Sequence, residues 1–325
     1  PLFHVTAQGT TLGTLARGGR ITIDAEFDAF GFWGRVQRAE ARVFTFVGTI
    51  LAVLARLPER ADDAENPVRR IVGAAAPADR WRDIERRFDL MVVETWGQTE
   101  TASCWTAPAA LPQRPGTVGR ANWRFHAKVA GPDGEEVPRG ELGEMWMRPR
   151  RPRLMFDGYL ADDGTISRDS WTPDGWYRTG DLMRQHPDGD FSFVGRLRDA
   201  IRRRGEMIPA GEVEAVALAC PGVREAAAVG VPADDGVEEE IKLCAVAEAG
   251  SQVTAPLLHA FLRDHLPAFM VPRYVDLRDE LPTTPTTRIR KQALREEGTG
   301  QAWDARRRRP AAQAAQVARA GTDVS

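Results

Sequence analysis

This 325-residue sequence predicts an α/β fold carrying a small β-rich subdomain and followed by a small α+β domain, on three observations. Over residues 1–108, apolar segments of strand length alternate with helix-length segments. That βαβα order calls for a largely parallel sheet. From about 112 to 194 the segments shorten, alternate apolar with polar residues, and are separated by turn signals, as expected of a β-rich subdomain. Beyond Gly195 the order becomes hairpin, helix, strand, strand, helix, strand.

The elements follow in order. DAFGFWGRVQRAEARVFTFVGTILAVLARL (28–57) reads as helix, strand, helix, and VRRIVGAAAPA (68–78) as a buried strand ending in a small-residue turn. WRDIERRFDLMVVETWG (81–97) supplies a helix and a strand. The segments HAKVAG, GEMWMRP and DFSFVGR are bounded by PDG at 132–134, 173–175 and 187–189 and DDG at 162–164. Pro209 is expected in the first turn of the helix AGEVEAVALA, where its missing N–H costs nothing. VREAAAVGVP and EIKLCAVAEA have strand character, and Thr254 is the expected N-cap of PLLHAFLRDHL. After Glu297 apolar content drops, so residues 298–325 are expected to be disordered. Arg306 to Arg309 read as a solvated charge run rather than a nucleic-acid contact.

Composition narrows the function classes. Hydrophobic content of 42%, charged content of 28% and net charge −2 describe an ordinary soluble chain with no global field toward nucleic acid or anionic membrane. Three widely spaced cysteines, Cys104, Cys220 and Cys244, argue against a disulfide framework or a zinc site and fit a reducing compartment. No apolar run reaches the ~18 residues of a membrane span, and the first residues carry no signal-peptide pattern. Cytoplasmic is the expectation. Pro1 in place of an initiator Met predicts sequence upstream.

The chemistry concentrates in GWYRTGDL (175–182) and FVGRLRDAIRRRGEMIPAGEVE (193–214). Asp181, in a Gly-flanked turn, can accept hydrogen bonds from two vicinal hydroxyls, and Arg196 can donate to sugar or phosphate oxygens. Such a pair suits a ribose. The combined pattern resembles the nucleotide-binding and hinge region of the adenylate-forming superfamily of acyl-CoA synthetases, luciferases and peptide-synthetase adenylation domains. The resemblance covers nearly all of residues 1–297. It implies that 1–194 is the C-terminal portion of a large α/β domain, 195–199 a hinge and 200–297 a small C-terminal domain.

What the resemblance implies residue by residue starts with WGQTE (96–100), the superfamily's YGxTE. Trp96 and Gly97 line the adenine pocket, Thr99 meets phosphate oxygens and Glu100 holds Mg²⁺. A flat ring stacks on a base and a carboxylate is a hard ligand for a hard cation. GAAAPA (73–78) resembles the SGGAPL turn on the other side of the adenine, assigning Ala75, Ala76 and Pro77 to nucleotide binding. Here Ala74 and Ala75 replace glycines, and Ala tolerates positive φ poorly. His4 of PLFHV corresponds to the histidine lining the acyl site. Arg198 falls at the hinge about which the small domain rotates between two half-reactions, and Gly205 would then approach the pantetheine thiol of CoA.

Two departures stand out. In LPTTPTTRIRKQALRE (281–296) the family's catalytic lysine position is Arg288, preceded by Thr287, while Lys291 matches the second, non-catalytic lysine. An arginine keeps the charge but presents a larger planar fork. The family's Ser/Thr/Gly-rich phosphate loop lies upstream of PLFHV and has no counterpart here. DAFGFWGRVQRAEAR, FHVTAQ and VGVPADDGVEEEIKLCAVAEAG resemble the carnitine/crotonobetaine–CoA ligase branch. The expected activity is therefore an acid–CoA ligase using ATP, Mg²⁺ and coenzyme A on a small carboxylate, with no nucleic-acid partner. Assembly into a homo-oligomer stays open. Two alternatives also stay open: a truncated or degenerate AMP- or CoA-binding homologue, and an acyl-activating enzyme with a carrier-protein acceptor.

Overall fold

The computed structural model describes residues 2, 4–104, 106–203, 206–234, 238–284 and 289–306. The chain divides into two units, 1–193 and 194–325.

In the first unit, helix α1 (Val5–Ala16) leads into helix α2 (Phe32–Arg38), strand β1 (Val43–Val47) and helix α3 (Gly48–Arg56). Strand β2 (Arg70–Ala74), helix α4 (Trp81–Phe88) and strand β3 (Met91–Glu94) follow. The three strands pair in the order β1-β2-β3, all parallel. That is what the alternation of strand and helix demands, since a parallel return needs a crossover. Helix α4 forms because Trp81, Ile84 and Phe88 fall on one stripe and are buried, while Arg82, Asp83 and Arg86 face out. It stops at Asp89, which takes left-handed φ 47°. Trp81, wholly buried, anchors a core with Phe46, Ile71 and Val92. Truncating such an aromatic costs about 3–5 kcal/mol.

Short strands then take over. Strand β4 (Gly97–Gln98) pairs with β5 (Ser103–Cys104), and β6 (Thr106–Ala107) with β7 (Arg120–Ala121). Next come β8 (Phe125–Ala130), β9 (Leu142–Pro149), the small pair β10 (Tyr159–Leu160) and β11 (Ile166–Ser167), then β12 (Tyr177–Gln185) and β13 (Phe191–Arg196). A four-stranded sheet of order β13-β12-β9-β8 results. The four expected turns are present: Gly134 and Gly189 join strands of this sheet, Gly164 joins β10 to β11 and Gly175 precedes β12, all with φ between 82° and 93°, a region glycine enters without steric cost. Met145 and Met147, alternating along β9, join Phe125 and Met183 in the core beneath this sheet.

The second unit begins with a 3₁₀ turn at Leu197–Asp199 and the hairpin β14 (Ala200–Arg203) with β15 (Glu206–Pro209). Helix α5 (Ala210–Ala219), strands β16 (Val223–Pro232) and β17 (Glu239–Ala247), helix α6 (Ala255–His265) and strand β18 (Tyr274–Arg278) follow, then helix α7 (Lys291–Glu296) and strand β19 (Trp303–Asp304). The sheet runs β16-β17-β18-β19, with only the β17–β18 pair parallel. Thr254 caps α6 as expected, its hydroxyl accepting from Leu257 N–H at 3.4 Å.

Two expectations are corrected. Pro209 ends β15 and is the N-cap of α5, at φ −67° and ψ 119°, rather than lying inside the first turn. The tail does not lose its order at 298. Val275 pairs with Trp303 and Tyr274 with Asp304, and the Arg273 guanidinium donates to both Asp304 oxygens at 3.2 Å. A two-residue strand and the ion pairs of Asp304 with Arg273 and of Arg306 with Asp234 and Glu240 hold a stretch whose composition is too polar to announce it. Residues 307–325 lie outside the described residues. Among the described residues no helix is long and apolar enough to cross a membrane.

Candidate functional site

Asp181 owes its position to a break in the pairing of β12 with β9. The register runs Arg178↔Trp146 and then Leu182↔Glu144, so three residues of β12 face one residue, Met145, of β9. Such a bulge re-aims side chains. It is held at each point: the Thr179 hydroxyl donates to Met145 O at 2.7 Å, Gly180 N–H to Glu144 Oε1 at 2.8 Å, and Asp181 N–H to the Thr179 hydroxyl at 3.1 Å. Gly180 takes φ 69°. Asp181 therefore turns inward and is fully buried.

Its carboxylate meets WGQTE there. Oδ2 accepts from the Trp96 indole N–H and from the Gln98 amide, both at 2.8 Å. The same amide donates to Thr179 O at 2.9 Å, and Gln98 Oε1 accepts from the Tyr177 hydroxyl at 3.1 Å. Burial raises the Tyr177 hydroxyl above the ordinary phenol range, so it remains a donor. Two segments some 80 positions apart in sequence are thus locked by neutral donors onto one carboxylate. A carboxylate has about four acceptor sites. Gln98 and Tyr177 were missed in the sequence, because one is the variable letter of YGxTE and the other reads as an ordinary strand aromatic.

Trp96 departs from the expectation. Only 7% of it is exposed, and its ring packs in the core with Val118 and Phe125. Its backbone N–H donates to the Thr106 hydroxyl at 2.8 Å. With the indole drawn down onto Asp181, it covers that carboxylate and offers a base little open face. Gly97, the neighbouring residue, is exposed.

The turn at Ala74–Pro77 leaves β2 with Ala75 at φ 62°. Left-handed backbone costs a non-glycine residue about 1–2 kcal/mol, so something must hold it. Glu94, at the end of β3 and 7% exposed, accepts from Ala75 N–H through Oε1 at 2.6 Å. Burial pushes the Glu94 carboxyl up to about 7, and the Ala75 and Ala76 N–H groups pull against that rise. Gln113 clamps the glutamate's backbone, accepting from its N–H at 2.9 Å and donating to its carbonyl at 3.0 Å. On the other side the Ala75 carbonyl rests on Gly48, where an added Cβ would lie 2.1 Å from that oxygen. Glu94, Gln113 and Gly48 all escaped the sequence reading.

Beside this turn opens a cavity of about 260 Å³. Helix α1 lines it with Thr6, Gly9 and Thr10, and the strand ends line it with Thr45, Ala74, Thr95 and Gly97. His4 immediately precedes that helix, its carbonyl accepting from Gln8 N–H at 2.9 Å. Thr99 is exposed, and half-buried Glu100 accepts from the Tyr159 hydroxyl at 2.7 Å. Among the described residues no group of three or more His, Cys, Asp or Glu could hold a metal ion. A single carboxylate fits Mg²⁺ brought in with phosphates, which is bound by one or two carboxylates and several waters.

In the second unit Arg196 ends β13, exposed, and Arg198 lies in the 3₁₀ turn. Arg295 of α7 grips that turn, donating to Arg198 O at 2.9 Å and to Asp199 Oδ1 at 3.0 Å. Lys291 is bound to Glu214 at 2.7 Å, a structural pairing in keeping with a non-catalytic lysine. Gly205, Thr287 and Arg288 lie outside the described residues.

Comparison with known proteins matches residues 1–160 to the AMP-binding enzyme family and 212–288 to the AMP-binding enzyme C-terminal domain. The chain is 34% identical over 297 residues to a sulfoacetate–CoA ligase of Cupriavidus necator, covering 90% of this chain and 57% of that protein. It is 26% identical over 302 residues to a crotonobetaine/carnitine–CoA ligase of Proteus mirabilis, with the same coverage. Its fold matches the crystal structure of ATP-bound MatB from Rhodopseudomonas palustris with a TM-score of 0.80 and 28% identity, covering 91% of this chain and 58% of that one. The chain spans somewhat under three fifths of the length of these relatives. The resemblance read from WGQTE and GWYRTGDL thus holds at the level of the family: the chain belongs to the AMP-binding enzymes.

Proposed function

We propose that the protein is an ATP-dependent acid–CoA ligase that forms an acyl-adenylate and then an acyl-CoA thioester. The observation that carries this reading is the buried Asp181 carboxylate, held by the Trp96 indole and the Gln98 amide. That arrangement places a carboxylate acceptor at the junction of the two motifs, beneath the Trp96 indole. The ribose hydroxyls either displace those donors from Oδ2 or bond alongside them. Arg196 supplies donors to sugar or phosphate oxygens.

In the first half-reaction a carboxylate oxygen attacks the α-phosphorus of ATP, the α–β phosphoanhydride bond breaks, and pyrophosphate leaves. Thr99 donates to phosphate oxygens and Glu100 holds Mg²⁺, which supplies charge neutralisation on the phosphates. Arg288, in the lysine's place, stabilises charge developing between acid and α-phosphate. The acid occupies the cavity lined by Thr6, Thr10, Thr45 and Thr95, with His4 at the same end of α1. In the second half-reaction the CoA sulfur, giving its proton to solvent, attacks the acyl carbonyl. The acyl–phosphate oxygen bond breaks and AMP leaves. Arg198 is the pivot between the two, and Gly205 is assigned to the pantetheine by its place in the motif. Buried, unbridged Cys220 and Cys244 suit a cytoplasmic enzyme, and a homo-oligomer is compatible with it.

A second reading is favoured by Arg288: a protein that binds AMP or CoA without adenylating an acid. ATP–pyrophosphate exchange on the intact gene product, with a panel of short carboxylates, separates the two. The ligase reading expects exchange, raised about tenfold by Arg288→Lys. Absence of exchange in both proteins, with AMP binding retained, would establish the second reading and discard the first.

A further inference from the structure

The buried glutamate behind the Ala74–Pro77 turn takes no part in the chemistry above, and three observations give it a task. Its carboxylate is aimed at consecutive backbone N–H groups, Ala75 at 2.6 Å and Ala76 beside it. Successive N–H groups around a left-handed residue form a concavity that suits an acceptor oxygen, and here that oxygen belongs to the protein's own side chain. Ala75 has the positive φ that a methyl-bearing residue resists. Glu94 is itself immobilised, its backbone N–H and carbonyl both taken by Gln113, which also donates to Thr117 O at 2.7 Å. The carbonyl of Ala75, pressed over Gly48, leaves the turn no room to relax on the far side.

We propose that Glu94 is a positioning residue for nucleotide binding: it fills the nest of the Ala74–Pro77 turn and so fixes the wall that Ala75 to Pro77 present to the adenine. The inference rests on the nucleotide reading of this turn. It adds that the wall is imposed by a side chain from β3, because alanine at 75 does not prefer the shape by itself. Glutamate at the last position of β3 faces Gly73 in the register, one residue before the turn, so its reach to the N–H groups two and three positions further on, Ala75 and Ala76, follows from the sheet. A phosphate cannot use the same N–H groups while the carboxylate occupies them.

The test compares Glu94→Ala, Glu94→Gln, Ala75→Gly and the double variant Glu94→Ala/Ala75→Gly of the intact gene product. Calorimetric AMP titration and amide exchange of the segment containing Ala75 and Ala76 are the readouts. Glu94→Ala is expected to weaken AMP binding at least tenfold and to strip protection from those two amides. Glu94→Gln, which keeps an acceptor oxygen, stays within about threefold of the parent. Ala75→Gly removes the conformational resistance, so the double variant regains most of the lost affinity, which a merely structural role for Glu94 would not produce. Unchanged AMP affinity and amide protection in folded Glu94→Ala would overturn the proposal, as would a double variant no better than Glu94→Ala. If Glu94→Ala does not fold, Glu94→Leu replaces it with the same two expectations. If the parent protein binds no AMP, the nucleotide reading fails, and the amide exchange alone then decides whether Glu94 pins the turn.

Discussion

The two units bury charge in different ways. In the first, Glu94 and Asp181 are buried carboxylates, and the donors seen on them are neutral: backbone N–H groups for one, an indole and an amide for the other. In the second, buried charges meet opposite charges. Lys242, wholly buried, lies 3.3 Å from Asp276 and donates to Gly298 O at 2.8 Å; Arg203 pairs with Glu240 at 2.8 Å, and Arg273 with Asp234 at 2.7 Å. A matched ion pair spends its field on its partner and fastens elements together. A carboxylate held by neutral dipoles has no matched counter-charge, and at Glu94 burial raises the carboxyl to about 7. The first unit also has a matched pair away from these motifs, Arg87 with Asp63 at 2.6 Å, so the neutral-donor setting belongs to Glu94 and Asp181.

The largest effect that tests this contrast lies in the second unit. Lys242→Ala leaves half-buried Asp276 with Arg278 as its remaining cation, and removal of one partner of a buried pair costs about 3–5 kcal/mol. Denaturant unfolding should show that loss, with AMP affinity unchanged in the folded protein. A large loss of affinity at full occupancy of the folded state would erase the distinction between the units.

A smaller effect sharpens the carboxylate side. The Glu94 carboxyl is raised from its usual 4.5 to about 7 by burial. A raised acid binds its proton more tightly folded than unfolded, so its contribution to stability is complete below about 4.5. That contribution declines as pH rises through the folded value near 7. Glu94→Gln should flatten this decline between about pH 4.5 and 7. A slope in that window unchanged by the substitution would mean the carboxyl titrates normally.

The smallest effect concerns the hinge turn. Arg295→Ala removes donors to Arg198 O and Asp199 from a partly exposed site, worth about 1 kcal/mol. Faster amide exchange across residues 197–200 is the expected sign, with unaltered AMP binding.

The order of elements was readable from the sequence wherever local chemistry decided it. The apolar stripe of α4, the glycine turns at 134, 164, 175 and 189, and the Thr254 cap each need only a few neighbouring residues. Asp181, Trp96 and the Ala75 turn were readable as motif letters, and the left-handed φ of Ala75 follows the glycine it replaces. Their setting was not. Gln98, Tyr177 and Glu94 act through contacts 19 to 83 positions away, set by sheet register and by a bulge that no local pattern announces. The setting of Trp96 was hidden for the same reason: its ring chemistry suits stacking, and the buried carboxylate on its indole N–H comes from a segment 85 positions away. The Trp303–Asp304 strand was hidden because two residues and a few ion pairs leave no periodicity.

The account depends most on the Asp181 carboxylate receiving the ribose. Calorimetric titration of AMP into the intact gene product and into Asp181→Ala measures that directly. Affinity should fall by about 10²-fold, the loss of a charged hydrogen-bonding acceptor for two hydroxyls, in a variant that still unfolds cooperatively. AMP binding with the same affinity and enthalpy in both proteins would contradict it.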